Sequence, residues 1–219
     1  MPSPPPLQMG LYYHIFNRGN NRENIFREER NYYFFMQRYA KYIEPVADTY
    51  AYCLLRNHFH FLVRVKTEEE QEECFAKTKT LKVSKTFRVL EPSQQFSNLF
   101  NAYAKAFNKT YNRTGSLFEH PFGRVEVTTD AYFIQLIAYI HQNPQRHGFV
   151  DDFRDWPFSS FHALASEQQT RLQRDDVLDW FSGLEGFFAY HETEVDPIRI
   201  AVLLLEEDPK GLEEDPKGF

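Results

Sequence analysis

The segment CLLRNHFHFLVRVK, residues 53 to 66, sets two imidazoles inside a run that otherwise reads as a buried strand. Residues two apart on a strand point to the same face, so His58 and His60 project together while Phe59 and Phe61 turn to the other side. Paired imidazoles are a metal-binding arrangement, yet a strand histidine is more often a hydrogen-bonded structural residue, and the pair alone leaves both readings open. Imidazole by itself suits zinc, copper or nickel, whereas magnesium and manganese ask for oxygen donors from elsewhere. The segment AYIHQNP offers such a group: Tyr139, with Gln142 and Asn143 three and four positions on, shares a helical face with them. A phenol would then stand beside an amide oxygen, next to the metal. The competing reading makes Tyr139 a half-buried core aromatic and Asn143 the C-cap before Pro144.

The elements that would bring these residues together follow from periodicity. LYYHIFNRG, residues 11 to 19, is rich in aromatics and ends in glycine, which predicts a strand and a turn. Residues 29 to 44 carry Tyr32, Phe35, Met36, Tyr39 and Ile43 at intervals of three and four, which predicts a helix closed by Pro45. VADTYAYCLL and HFHFLVRVK read as two strands joined tightly through Arg56 and Asn57. Residues 93 to 112 place Phe96, Leu99, Phe100, Tyr103 and Phe107 at helical spacing, with Ser93 as N-cap and Gly115 past the end. A strand around Val125 to Thr128 completes the order βαββαβ. The fold class is therefore α+β, a ferredoxin-like split βαβ with an antiparallel sheet and helices on one face. A last helix over residues 131 to 142, capped by Asp130 and stopped by Pro144, would carry Tyr139.

This organises the chain as a flexible arm (1–10), a main domain (11–165), a helical C-terminal extension (166–204) and an acidic tail (205–219). In the tail LEEDPKG occurs twice in succession with no apolar face to bury, which predicts disorder. Net charge is -6, but it is unevenly distributed. Between Lys77 and Arg124 nine Lys and Arg stand against Glu91 and Glu119, while from Asp151 onward seventeen Asp and Glu stand against six Lys and Arg. A basic middle can face polyphosphate in spite of an acidic total. The run TEEEQEEC, residues 67 to 74, reads as a solvated face.

Cys53 and Cys74 lie in no paired spacing, which argues against a disulfide framework or structural zinc and points to a cytoplasmic protein. MPSPPPLQMG lacks the pattern of a signal peptide, and IRIAVLLL is far shorter than the roughly 20 residues that span a bilayer, so no membrane partner is expected. The absence of GxxxxGK[ST] argues against a nucleotide cofactor, and that of HExxH against a metal hydrolase of small molecules.

YCLLRNHFHFLVRVK, then YNRTGSLFEHPFGR, then LIAYIHQNPQRHGFVDDFRDWPFSSF resemble, in order and spacing, the REP-associated tyrosine transposases and the wider group of single-tyrosine His-hydrophobic-His transposases. The resemblance runs from about Tyr12 to about Phe161. It implies cleavage and rejoining of single-stranded or hairpin DNA at repeat ends through a 5′-phosphotyrosine. It also implies His58, His60 and Asn143 as ligands of Mg²⁺ or Mn²⁺, Tyr139 as nucleophile, and a monomer or homodimer. One departure stands at Arg56, where the family commonly has proline before the Asn-His of its motif. Tyr111, in YNRTG, is the rival nucleophile but has no amide one turn on. Lys105, Lys109 and Arg113 recur at four-residue intervals with Arg124 shortly beyond, and this stripe is expected to track the DNA backbone. Two other readings stay open: a replication or mobilisation nickase, and a domesticated nucleic-acid-binding protein without catalysis.

Overall fold

The computed structural model describes residues 5–78 and 87–193. Strand β1 (Tyr12–Arg18), helix α1 (Glu29–Tyr42), strands β2 (Ala47–Leu54) and β3 (His58–Val65), helix α3 (Pro92–Thr110) and strand β4 (Gly123–Glu126) form the βαββαβ unit, with α2 (Glu68–Thr78) inserted after β3. Helices α4 (Asp130–Arg146), α5 (Phe161–Ala165), α6 (Arg174–Trp180) and α7 (Leu184–His191) follow. The sheet has four strands in the order β2-β3-β1-β4, and every neighbouring pair is antiparallel, as in the ferredoxin-like plan. No helix among the described residues is long and apolar enough to cross a membrane.

Alternation along β3 divides the molecule into two layers. Phe59 and Phe61 face α1 and α3, where Phe35 lies 5.2 Å from Phe59 and Tyr39 stacks on Phe61 at 4.4 Å between ring centroids. From α3, Phe100 approaches Phe59 at 5.5 Å, and the buried Tyr103 hydroxyl donates to the Ile25 carbonyl at 2.6 Å. Burying each such ring contributes roughly 1.5–3 kcal/mol. Helix α1 starts at a reciprocal cap, in which the Glu28 side chain accepts from the Asn31 amide and Asn31 Oδ1 accepts from the Glu28 amide.

The helices of the βαββαβ unit share one face as expected, and α4 covers the other. Its Phe133 packs at 5.5 Å from Tyr12 and 5.4 Å from Tyr50, near the C-terminal end of β3. Its far end reaches His58 at the start of β3, so helix and strand run antiparallel. About fourteen residues of helix and about six of strand both cover ~20 Å, which lets one helix span the strand.

Three boundaries differ from the sequence reading. Helix α3 is capped by Glu91, whose carboxylate accepts from the Gln94 amide, while Ser93 Oγ instead accepts from the amide of Leu7. Helix α4 is capped by Thr129, and Pro144 lies inside it rather than stopping it. A proline removes only its own N–H bond, and the turn closes beyond it through the His147 amide to the Asn143 carbonyl at 3.0 Å. The arm is docked from residue 5 onward: Leu7 is buried, and Gly10 donates to the Val65 carbonyl. Within the acidic run Glu70 pairs with Arg64 at 2.9 Å instead of standing free in water. The LEEDPKG repeat lies outside the described residues.

The C-terminal extension packs into the same core, with Val177 and Phe187 fully buried. The segment before it covers the open edge of β2: Leu54 donates to the Phe158 carbonyl, Ser160 to the Tyr52 carbonyl, and Trp156 Nε1 to the Leu54 carbonyl, each at 2.9 Å. Helix α7 is held by a chain whose polarity is fixed at its end. His191 Nδ1 donates to the Phe187 carbonyl, so its Nε2 accepts from His141 Nδ1 at 2.8 Å, and His141 Nε2 accepts from Ser160 Oγ at 2.8 Å.

With both imidazoles neutral, each link of that chain has one donor and one acceptor. Burial pulls His141 well below its ordinary range and His191 down to about 4. Above about pH 6.5 folded and unfolded chains are alike neutral there; as pH falls the unfolded imidazole takes its proton first. Stability should therefore drop as pH falls from about 6.5 to about 4, by on the order of 3 kcal/mol from His191 alone. Urea unfolding midpoints across that interval would measure it, and a flat profile would contradict the chain.

Candidate active site

His58 and His60 lie on the sheet face under α4, both buried, with ring centroids 5.2 Å apart. His58 Nδ1 donates to Asn57 Oδ1 at 2.7 Å, because an amide oxygen only accepts, and this leaves the Nε2 lone pair unprotonated. His60 Nδ1 meets Nε2 of His14 at 2.9 Å. Burial, then the neighbouring His147 and Arg18, hold His58 well below its usual range. Burial, then His14, His58, His147 and Arg18, do the same for His60. Both rings are thus neutral at pH 7, the form that binds metals.

Tyr139 comes down from α4 onto this pair, half-buried, with its ring 5.7 Å from that of His60. Burial raises its pKa, while the Arg146 charge and hydrogen bonding from Asn143 oppose the rise. The Arg146 guanidinium sits 5.7 Å from the Tyr139 ring centroid. Asn143, one turn further along the helix, is 1% exposed and donates from Nδ2 to the Tyr139 carbonyl at 3.0 Å.

Two buried acceptors have no protein partner: His60 Nε2 and Asn143 Oδ1. Orphaned acceptors on facing elements are what a cation site looks like without its ion, since such groups are otherwise satisfied. A carboxamide oxygen beside two imidazoles fits Mn²⁺ or Mg²⁺ with open positions for water and phosphate. Among the described residues no group of three or more His, Cys, Asp or Glu side chains is placed to hold an ion.

The structure thus brings together His58, His60, Tyr139 and Asn143. It does not bring the basic stripe to them. Lys105 and Lys109 are exposed on α3, which packs against the opposite face of the sheet. Arg113 is spent on Glu23, with Nε to Oε2 at 2.6 Å, and on the carbonyl of Ser116. Arg124 lies over the Phe122 ring at 3.8 Å and donates to the Pro5 carbonyl at 3.1 Å, which ties down the arm. Helical spacing had shown which residues share a side of α3 but not which side of the sheet that was.

Other cations take that place. Arg18 pairs across from His58 in the β1–β3 register and shares its face, and its Nε is buried without a partner. Arg146 comes from α4, and Arg56 is exposed beside Asn57 with its guanidinium 5.5 Å from the Phe149 ring. His147, exposed at the end of α4, meets the His58 ring edge-on at 4.8 Å. Two signals could have found them: the alternation Tyr12, His14, Phe16, Arg18 on β1, and the spacing of four between Tyr139, Asn143 and His147. Gly123, paired with Phe16, leaves room for a ring that borders His14; a Cβ there would overlap it.

Paired strand imidazoles thus face a helical tyrosine across one side of a ferredoxin-like sheet. The chain is similar to known proteins in sequence and in fold. A Haemophilus influenzae protein named "Putative REP-associated tyrosine transposase" is 27% identical over 117 residues, 52% of this chain and 59% of the relative, so the match spans little more than half of that protein. A solved REP-associated tyrosine transposase bound to a REP hairpin matches the fold with a TM-score of 0.52 at 18% identity, covering 81% of this chain and 92% of that one. No family model matches the sequence.

Tyr111 has a different job. Its hydroxyl donates to Glu28 Oε1 at 2.7 Å and lies 3.0 Å from Asn31 Oδ1, bracing the start of α1 on the face away from the histidines. Tyr111→Phe should lower stability by about 1 kcal/mol. It should leave divalent-metal binding unchanged, as paired denaturation and Mn²⁺ calorimetry would show.

Proposed function

We propose that the chain is a metal-dependent transesterase of single-stranded or hairpin DNA, with Tyr139 as nucleophile. The observation that carries this reading is the Tyr139 ring standing 5.7 Å from that of His60, with unpaired acceptors on both elements, His60 Nε2 on the strand and Asn143 Oδ1 one turn past Tyr139 on the helix. The likeness to REP-associated tyrosine transposases, one of them solved on a REP hairpin, supports the same substrate class.

A Mg²⁺ or Mn²⁺ ion held by His58, His60 and Asn143 would supply Lewis-acid neutralisation of the scissile phosphate. The remaining work falls to the chain's own groups. Tyr139 Oη attacks phosphorus, a bond forms between them, and the bond to the 3′ oxygen breaks. The phenol gives up its proton as this happens, and an equivalent proton ends on the departing 3′-OH. The product is a 5′-phosphotyrosine, which another 3′-OH reverses to join a new strand without ATP.

A phenol is a weak nucleophile at neutral pH, and burial weakens it further. Arg146 and Asn143 act against that by favouring the phenolate. Arg18, with part of its guanidinium unpaired beside His58, is placed to meet a nonbridging phosphate oxygen. Lys105 and Lys109, on the far face, suit a longer hairpin stem rather than the scissile end.

Purified protein given Mn²⁺ and a labelled single strand flanked by a hairpin from its own genomic neighbourhood should form an adduct that survives denaturing electrophoresis. Tyr139→Phe should abolish the adduct and retain hairpin binding, whereas Tyr111→Phe should keep both. An adduct made by Tyr139→Phe would overturn the assignment, and binding without any adduct in the wild type would favour the non-catalytic DNA-binding reading. Arg18→Ala should slow adduct formation by about 100-fold, the scale typical of losing one transition-state donor, with hairpin affinity changed far less.

A further inference from the structure

Between β1 and β3 lies a hydrogen bond that the proposed chemistry has not used. His14 is fully buried on the β1 face that carries Phe16 and Arg18, one pair along from His60, since Phe16 is the residue that pairs with His60. Its Nε2 lies 2.9 Å from His60 Nδ1, and the two rings are stacked, 20° from parallel with centroids 5.1 Å apart. We infer that His14 is a positioning residue that accepts a hydrogen bond from His60 Nδ1 and so supports the tautomer whose Nε2 lone pair is free to take a cation. The inference rests on the metal-dependent reading of the site.

A neutral imidazole carries one N–H, so the shared bond has only two arrangements. In one, His60 Nδ1–H donates to His14 Nε2; His60 Nε2 is then a bare lone pair and His14 keeps its proton on Nδ1. In the other, His14 Nε2–H donates, and His60 must carry its proton on Nε2, where it would block a cation. Coordination at His60 Nε2 is compatible with the first arrangement alone.

The neighbouring ligand shows why His14 differs from a merely structural partner. His58 is oriented by Asn57 Oδ1, which only accepts and so fixes the tautomer without a cation. His14 can accept or donate, so the pair resolves toward acceptance when a cation takes the lone pair. A ligand imidazole commonly donates its second nitrogen to such a partner, and losing the partner typically weakens metal binding about 10–100-fold.

Packing does not require an imidazole at position 14. Its Nδ1 is itself buried without a partner, which makes His14 more costly than an aromatic of similar shape. An aromatic there would still stack between Phe16 and the His60 ring.

Three proteins decide the matter: wild type, His14→Phe and His14→Gln. Calorimetric titration with MnCl₂ should show affinity falling about 10–100-fold in His14→Phe. In His14→Gln, whose amide oxygen can accept from His60 Nδ1, it should stay within a few-fold of wild type. His14→Phe trades the orphan His14 Nδ1 for an orphan His60 Nδ1 and should still unfold cooperatively within a few degrees of wild type, which separates the loss of metal from loss of fold. In wild type loaded with Mg²⁺, nitrogen-15 NMR should report His60 protonated at Nδ1 and His14 protonated at Nδ1. Mn²⁺ affinity in His14→Phe equal to wild type, or a His60 Nε2–H in the loaded protein, overturns the role of His14; the second readout serves even if the variants fail to fold. A wild type that binds no Mn²⁺ at all would instead remove the metal reading, and this role with it.

Discussion

The two-residue period of β3 is the constraint on which the rest depends. Phe59, Phe61, Val63 and Val65 fill one face, and His58, His60 and Leu62 the other. A slip of one residue would drive two imidazoles into the aromatic layer under α1 and α3 and set phenylalanines opposite Tyr139. That penalty is steep, because Phe59 and Phe61 are buried among the rings of Phe35, Tyr39 and Phe100, and the Tyr39 hydroxyl is already bonded to Thr49. The apolar layer therefore does more than stabilise the domain: it fixes the register that aims the site.

On the polar face the same alternation acts across strands. His14 and Arg18 reach the histidine pair because β1 is antiparallel to β3 with Arg18 opposite His58 and Phe16 opposite His60. The two imidazoles of β3 are neutral because they are buried, and two nearby cations, Arg18 and Arg146, add positive charge to an otherwise desolvated place. Net charge says little about this. The acidic total of -6 is spread over a long chain, while the charge that matters to an anionic substrate sits within a few side chains of the phenol.

Much of this could be read along the chain, and the failures share a cause. Local periodicity located every strand and helices α1, α3 and α4, since burial on one face leaves a period of two or of three to four residues, but it missed α2, whose acidic run was read only as a solvated face. The His58 and His60 pair was visible for the same reason, whereas Tyr139 among thirteen tyrosines was singled out by the family resemblance, not by spacing. What escaped was non-local. The Lys105, Lys109 and Arg113 stripe is real as a helical spacing, but only the packing of α3 decides that it lies across the sheet from Tyr139. Arg113 and Arg124 are bound to Glu23 and to the N-terminal arm, partners ninety or more residues away. His14 and Arg18 entered only once strands were paired. Pro144 misled because a proline in a last turn forfeits a single hydrogen bond, which the helix survives.

Helix α4 carries the final consequence. It presents Tyr139 and Asn143 to the sheet, and His141, about 200° around the helix from Tyr139, is tied through His191 to α7 and through Ser160 to the edge of β2. Gln142 adds bonds to the carbonyls of His191 and Thr193, both at 3.0 Å. Tyr139 is thus set by two anchors, an apolar one at Phe133 against Tyr12 and Tyr50 and a polar one at His141, on either side of it in sequence. A helix pinned at one end can rotate about its axis; pinned at both it cannot, and misplacing a reacting atom by about 1 Å can cost two orders of magnitude in rate. The C-terminal extension, remote from the histidines in sequence, belongs to the site's geometry for that reason.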